Sequence, residues 1–312
     1  MRAALAFLSA AVTVSLRAVV ALGAVGALGA VATVGAVTAV TGCAGAPQVH
    51  GAYADVGALH MYYEEAGSGR PLVLLHGGGS TAQTSFGVIM PALSRHHRVI
   101  APEAQGHGHT ADIDRPMSFE QMADDTDALL ARLGIEDADV LGFSNGGMVA
   151  LQLAIRHPAR VRKLVICSAV YARDGAIPPL REAWQSPPDA SKMPPALRDA
   201  YLAAAPHPDL AGFVTKTIAM LRAFTDIPEA TLRTIQAPTL VMVADHDVIR
   251  PEHAVSLFEL LPHAQLAVFP DSIHGTYLGA LEGVKAGSPL PGIAVTMIET
   301  FLDAGATAAR SR

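Results

Sequence analysis

Gly142-Phe143-Ser144-Asn145-Gly146 sets a serine hydroxyl between two glycines, directly after the apolar run Ala138-Asp139-Val140-Leu141 and directly before a helix-like segment. A G-x-S-x-G sequence at a strand–turn–helix junction presents its serine at the tip of a tight turn, where side chains in place of the glycines would collide with the strand and helix. A serine hydroxyl is too weak an acid to attack a carbonyl unaided. It needs a base within hydrogen-bond reach and a third group that orients the base. Two later loops offer such groups: Ala244-Asp245-His246-Asp247 follows the run 239–243, and Phe269-Pro270-Asp271-Ser272-Ile273-His274 closes the run 265–269. Ser144 is the candidate nucleophile, His274 the candidate base, and Asp247 or Asp245 the acid. Upstream, His76-Gly77-Gly78-Gly79 follows the run 72–75, and its glycines let backbone N–H groups approach a developing oxyanion. His107 and His109 form a second imidazole pair. A catalytic zinc needs about three protein ligands, and with no H-E-x-x-H or cysteine set in the chain, no metal is expected.

Elements must bring these loops together. Short Val/Leu-rich runs at 71–75, 98–101, 138–141, 161–166, 239–243 and 265–269 read as buried parallel strands. Helix-like segments at 83–93, 118–133, 146–156, 252–261 and 292–302 alternate with them, the second opened by Ser118 and Gln121 in the spacing of a capping box. Two further strands at 48–55 and 58–65 turn near Gly57 as an edge hairpin. The pattern predicts an α/β fold with a mostly parallel central sheet flanked by helices. Residues 171–237 interrupt it: no strand-like run occurs, eight prolines cluster between Pro178 and Pro208, and helices are expected at 195–204, 209–224 and 229–235. That interval reads as an inserted helical lid, with core on either side at 43–170 and 238–312. It also holds Trp184, the only tryptophan.

Composition narrows the classes. The 312 residues are 51% hydrophobic and 16% charged, with a net charge of −6, which excludes a disordered chain and, without a basic stripe, a nucleic-acid partner. Residues 1–42 differ from the rest: the only charges are Arg2 and Arg17, and 18–40 is an uncharged run of Ala, Val, Gly, Leu and Thr. Its end, Val40-Thr41-Gly42-Cys43, resembles a bacterial lipoprotein signal, which implies lipidation of Cys43. An uncleaved signal-anchor helix, long enough at about 1.5 Å per residue to span a bilayer core, is the alternative. Both place the rest of the chain outside the cytoplasm, attached to the cell-envelope membrane by lipid or anchor. Cys167 would then be the only cysteine of the folded domain, so no disulfide is expected within it.

The order Ser144, Asp247, His274, with His76-Gly77-Gly78-Gly79 upstream, resembles the α/β-hydrolase fold superfamily across residues 49–302. Within it the chain is similar to the esterase, C–C hydrolase and cofactor-free haloperoxidase group that carries a helical cap. The resemblance implies Asp247 as the acid, with Asp245 second, and oxyanion donors from Gly78 and Asn145, with Gly79 as the other choice for the first. It implies no cofactor. His76 is expected to hold its loop rather than to react. Glu103 stands where the related segment usually has aspartate, and His109-Thr110 depart from it as well. Serine at the nucleophile position argues against the dehalogenases and epoxide hydrolases of the superfamily, which use aspartate there.

These features predict two-step acyl transfer on a small-molecule ester, with lactone, C–C or perhydrolase chemistry as alternatives on the same three residues. Apolar Phe143 at the turn and Trp184, Met220, Leu221 and Phe224 in the lid are expected to line a mainly apolar pocket. The competing expectation is a non-catalytic binding protein of the cell envelope that keeps the fold.

Overall fold

In the computed structural model, which describes residues 47–305, the apolar runs become the strands of one eight-stranded sheet. β1 (His50–Val56) and β2 (Leu59–Ala66) pair antiparallel across Gly57, as the alternation around that glycine predicts. β2 then pairs antiparallel with β4 (His97–Pro102). β3 (Arg70–Leu75), β5 (Ala138–Phe143), β6 (Val161–Cys167), β7 (Thr239–Ala244) and β8 (Ala264–Phe269) complete a parallel set with β4. Parallel strands need crossover helices on both faces, so central strands are covered twice. Every residue of β5 and of β7 is buried accordingly.

The strand order is β1-β2-β4-β3-β5-β6-β7-β8. After β3 the chain moves to one side of the sheet, and after β5 it moves to the other. Loops diverge at such a reversal, and the crevice beyond the carboxyl ends of these strands is where open α/β sheets bind ligands. Residues 76–79 and Ser144 leave β3 and β5 at that place.

Two apolar layers sandwich the sheet, with Val73 and Leu75 in one and Leu72 and Leu74 in the other. The first layer takes α3 (Phe119–Arg132), α4 (Asn145–Arg156) and α9 (Pro251–Leu260); the second takes α1 (Ala82–Phe86), α2 (Met90–Leu93) and α10 (Leu290–Asp303). Segment 83–93, expected as one helix, is two. Gly87 closes the first, and Pro91, lacking an N–H, sits in the opening turn of the second. Ser118 caps α3 by accepting from the Gln121 N–H, but the Gln121 side chain turns forward to Asp125, so only half of the expected capping box forms. At the far end, the buried Lys163 ammonium donates to the carbonyls of Phe301, Leu302 and Ala304, placing positive charge at the carboxyl end of α10.

Between β6 and β7 lie α5 (Pro178–Gln185), α6 (Pro195–Ala204), α7 (Leu210–Ala223) and α8 (Glu229–Leu232). Three occupy the expected positions. α5 was hidden behind Pro178 and Pro179, which read as breakers but pre-set the backbone at a helix start. Among the described residues no helix is long and apolar enough to cross a membrane. The expected leader at 1–42 and Cys43 lie outside the described residues.

Candidate active site

Ser144 adopts φ 55° and ψ −121°, a positive-φ conformation that costs a non-glycine residue about 1–3 kcal/mol. Its surroundings force that conformation. A Cβ at Gly142 would lie 2.2 Å from the Gly146 carbonyl oxygen, and one at Gly146 would lie 2.0 Å from that of Leu75. β3, β5 and α4 therefore meet in backbone contact, and the Ser144 N–H is tied to the Cys167 carbonyl of β6 at 2.9 Å. The turn thus lifts the serine side chain into the cavity above the sheet.

His274 leaves the loop after β8, and its Nδ1 lies 2.6 Å from Asp247 Oδ1. The Asp247 carboxylate also accepts from the Ser168 hydroxyl and from the amides of Ala244 and Ile249. Ser168 in turn meets the Tyr277 hydroxyl at 2.7 Å, and Tyr277 donates to the Met242 carbonyl. Burial pushes the Asp247 carboxyl up, but the charge of His274 and these hydrogen bonds outweigh burial and hold it below the ordinary carboxylate range. For His274, burial opposes the charged ring, yet the Asp247 charge and hydrogen bond, with Glu282 beyond, raise it above the ordinary imidazole value. A carboxylate at Nδ1 leaves the proton there and turns Nε2 into an acceptor. The Ser144 hydroxyl makes no hydrogen bond to the ring in this structure, although both line one cavity; catalytic hydrogen bonds commonly tighten only once substrate is bound.

Asp245 takes a different part. Its oxygens accept from the amides of Asp271 and Ser272, fastening the loop that carries His274 rather than touching the imidazole.

Gly78, Gly79 and Asn145 line the same cavity as Ser144 and His274. The Gly78 N–H is absent from the hydrogen bonds that fold its loop, which run from Gly77 to Ser85 and from Ser80 to Gly77. The Asn145 N–H opens α4, where helical donors have no partner within the helix. A Cβ on residue 78 would lie 2.3 Å from the side-chain Nδ2 of Asn145, so the glycine lets the Asn145 side chain pack against this loop. His76 holds this loop: Nδ1 lies 2.8 Å from the Gly77 carbonyl and Nε2 accepts from the Ala104 N–H. Burial lowers its proton affinity, in keeping with a neutral ring that both donates and accepts. Glu103 is fully buried and bridges the Ala82 N–H to the His109 backbone and ring. The extra methylene over aspartate extends its reach to the start of α1. His107 is no ligand partner to His109; its ring packs on His76 and Phe213, and among the described residues no three His, Cys, Asp or Glu gather as a metal site.

A cavity of about 480 Å³ opens over Ser144, roofed by Trp184, Leu197, Phe213, Ile218 and Leu221 of the lid. Two expectations are corrected here. Phe143 does not line it: residue i−1 of the turn points through the sheet into the opposite core layer, fully buried, with its ring 4.8 Å from that of His274. Met220 and Phe224 do not line it either: Met220 borders a smaller adjoining pocket with His76, Gly77 and Asn145, and Phe224 packs edge-on against Phe119. Trp184 and Leu221 do line it. Lys192, the one Lys or Arg of the lining, is 71% exposed and lies 3.9 Å from Asp189. The Thr217 hydroxyl, buried in the wall, has no protein partner.

Sequence reasoning missed Ser168, Tyr277, Thr217 and Glu282. Ser168 stands at the carboxyl end of β6, between the strands that present Ser144 and Asp247, and that position was the available signal. Cys167 beside it is free and buried, and burial pushes its thiol well up.

Comparison with known proteins places this architecture. The family described as the alpha/beta hydrolase fold matches residues 70–231. The chain is 32% identical over 236 residues to a 2-hydroxymuconate semialdehyde hydrolase of Pseudomonas sp. (strain CF600), covering 69% of this chain and 83% of that protein. It is 28% identical over 254 residues to a non-heme haloperoxidase of Rhodococcus erythropolis, covering 69% and 89%. A solved meta-cleavage product hydrolase from Pseudomonas fluorescens IP01 superposes with a TM-score of 0.68 at 23% identity, over 81% of this chain and 97% of that one, a likeness of fold. By its sequence match and its architecture, the chain belongs to the α/β-hydrolase fold family.

Proposed function

We propose that the protein is a serine hydrolase that cleaves a carboxylic ester of a small or medium, mainly apolar substrate. One observation carries this reading: Ser144, Gly78, Asn145 and His274, the last held by Asp247, line one mainly apolar cavity. Ser144 attacks the carbonyl while His274 Nε2 takes its proton; Asp247 keeps the ring oriented and stabilises its charged form. The two amides receive the oxyanion, and the alcohol leaves with the proton from His274. Water then repeats the sequence on the acyl-enzyme. No cofactor takes part.

The charge of the cavity favours a neutral substrate. A buried carboxylate on the substrate would call for a buried counter-charge, whereas Lys192 is exposed and beside Asp189. The Thr217 hydroxyl offers a buried hydrogen-bonding group among the apolar lid residues Phe213, Ile218 and Leu221. C–C bond cleavage is the second reading, supported by the similarity to the 2-hydroxymuconate semialdehyde hydrolase; lactone opening and perhydrolysis would use the same three residues.

The test is a direct comparison of kcat/KM for p-nitrophenyl esters of increasing acyl length and for 2-hydroxymuconate semialdehyde. Ester turnover that exceeds turnover of the semialdehyde and falls off when the acyl chain outgrows the cavity is the expected result. Preference for the semialdehyde would transfer the assignment to C–C hydrolysis. A folded protein inactive on both would favour the non-catalytic binding role.

We also propose that residues 1–42 direct export and that Cys43 carries lipid, on the strength of the apolar run and the Val40-Thr41-Gly42-Cys43 ending. Expression in a bacterium competent for lipoprotein maturation should then give a protein that has lost 42 residues and gained the mass of an acylated cysteine. The unprocessed precursor mass, or a Cys43→Ser variant that partitions into the membrane with unchanged mass, would favour the anchor.

A further inference from the structure

Glu282 is a partly buried acid, its Oε2 shielded from solvent, that the proposed chemistry does not use. The chain turns back after His274 through the short helix Thr276–Leu278 and Gly279. The return is tight: a Cβ at Gly283 would lie 2.2 Å from the His274 carbonyl oxygen and 2.6 Å from the Thr276 nitrogen. Leu281 fastens the segment to the Thr84 carbonyl of α1 at 2.8 Å. The Glu282 carboxyl is thereby carried into the seam beneath the glycine loop. A side chain built at Gly77 would meet the Phe143 ring at 3.3 Å and Glu282 Oε1 at 3.6 Å, and that same Phe143 ring packs on His274. Within this seam Oε2 is buried without a hydrogen-bond partner.

Such a group costs stability, and acids kept under those conditions concentrate where their charge is used. Burial pushes the Glu282 carboxyl up, and its own backbone N–H and then the nearby His274 pull it back down. The influence is mutual, since Glu282 also raises His274. The acids that bear on the imidazole are thus Asp247, by direct hydrogen bond, and Glu282, through space.

We propose that Glu282 is a positioning residue for the base: it acts on the His274 ring as a second acid, favouring the imidazolium that forms when Ser144 gives up its proton. The proposal rests on the Ser144–His274–Asp247 reading and adds to it a group outside the three. It differs from a packing role in one respect. A packing residue can be replaced by its neutral isostere without altering how His274 titrates, whereas a charge acting through the ring cannot.

The deciding measurement is NMR titration of the His274 ring in the full-length protein carrying Ser144→Ala, so that it does not depend on any substrate. Glu282→Gln should lower the His274 midpoint by about one pH unit, the size of effect a nearby opposite charge exerts, and Glu282→Asp should restore part of it. In the protein with Ser144 intact, the acid limb of kcat/KM should move the same way, because a less basic ring stays neutral, and so competent as a base, to lower pH. A His274 midpoint unchanged in folded Glu282→Gln overturns the proposal. Should that variant fail to fold, the Glu282 carboxyl carbon of the Ser144→Ala protein must itself sense the His274 titration, and an uncoupled curve overturns it equally. Inactivity of the unsubstituted protein on esters would count against the proposed function while leaving the NMR result to judge Glu282.

Discussion

Ser144→Ala lowers kcat/KM on any accepted ester by a factor on the order of 10⁵ to 10⁶, the expected cost of removing a nucleophile whose attack no other group can replace. The substitution removes one oxygen and leaves the backbone in the same positive-φ turn, because Gly142 and Gly146 still clamp it. Stability should therefore change by less than about 1 kcal/mol. Burst kinetics with a p-nitrophenyl ester, beside calorimetric melting of both proteins, separates loss of chemistry from loss of fold. Retention of activity within tenfold of the unsubstituted protein, in preparations free of host esterases, would remove Ser144 from the mechanism.

Asp247→Asn is expected to lower kcat at neutral pH by a factor on the order of 10⁴. An amide can present its N–H to His274, which places the ring proton on Nε2 and blocks acceptance from Ser144. The neighbouring Asp245→Asn should cost no more than a few-fold, since its contacts are with the amides of Asp271 and Ser272. If Asp245→Asn proves the more damaging change, the assignment of the acid is wrong. Stability should follow pH with a defined sign. The folded protein holds the Asp247 carboxyl below its ordinary value, so it binds that proton at lower pH than the unfolded chain does. The resulting stabilisation is fully present above the ordinary carboxylate range and is lost as pH falls through the depressed folded value. Asp247→Asn should flatten that part of the stability profile, as read by denaturant titration at several pH values.

Much of this architecture is legible in the chain because its signals are local. The central parallel strands follow Val/Leu-rich runs, since a strand covered on both faces has no solvent side to mark, whereas the edge strand β8 keeps Gln265 and Val268 exposed. The lid shows itself as a strand-free, proline-rich interval. Boundaries failed where one residue has two meanings. Pro178 and Pro179 start a helix while resembling a break, and Gly87 with Pro91 divides one apolar stretch into two helices. Gln121 has the type and spacing of a capping partner, yet Asp125 one turn on competes for its side chain.

Within the site, distance along the chain sets the limit. The glycines at 142 and 146 and the order of serine, acid and base were readable, because each belongs to a motif a few residues long at a strand end. Which aspartate reaches the imidazole was not, apart from family resemblance: Asp245 and Asp247 are two residues apart, and only the path of the loop after β7 decides between them. Phe143 shows the same limit. Apolar character predicted a pocket wall, whereas the twist of the turn sends its side chain through the sheet.

The amino-acid sequence by itself determined the α/β layering, the strained serine turn and the presence of a base and an acid beyond it, because periodicity and local sterics act over a few residues. Tertiary structure alone decided the rest: that Ser168 and Tyr277 steady Asp247, that Trp184 and Leu221 rather than Phe143 line the cavity, and that Glu282 lies against the glycine loop at Gly77. The contacts of Ser168 with Asp247 and with Tyr277 join positions 79 and 109 residues apart. No local pattern encodes them, since they come into being only when the sheet closes the distance.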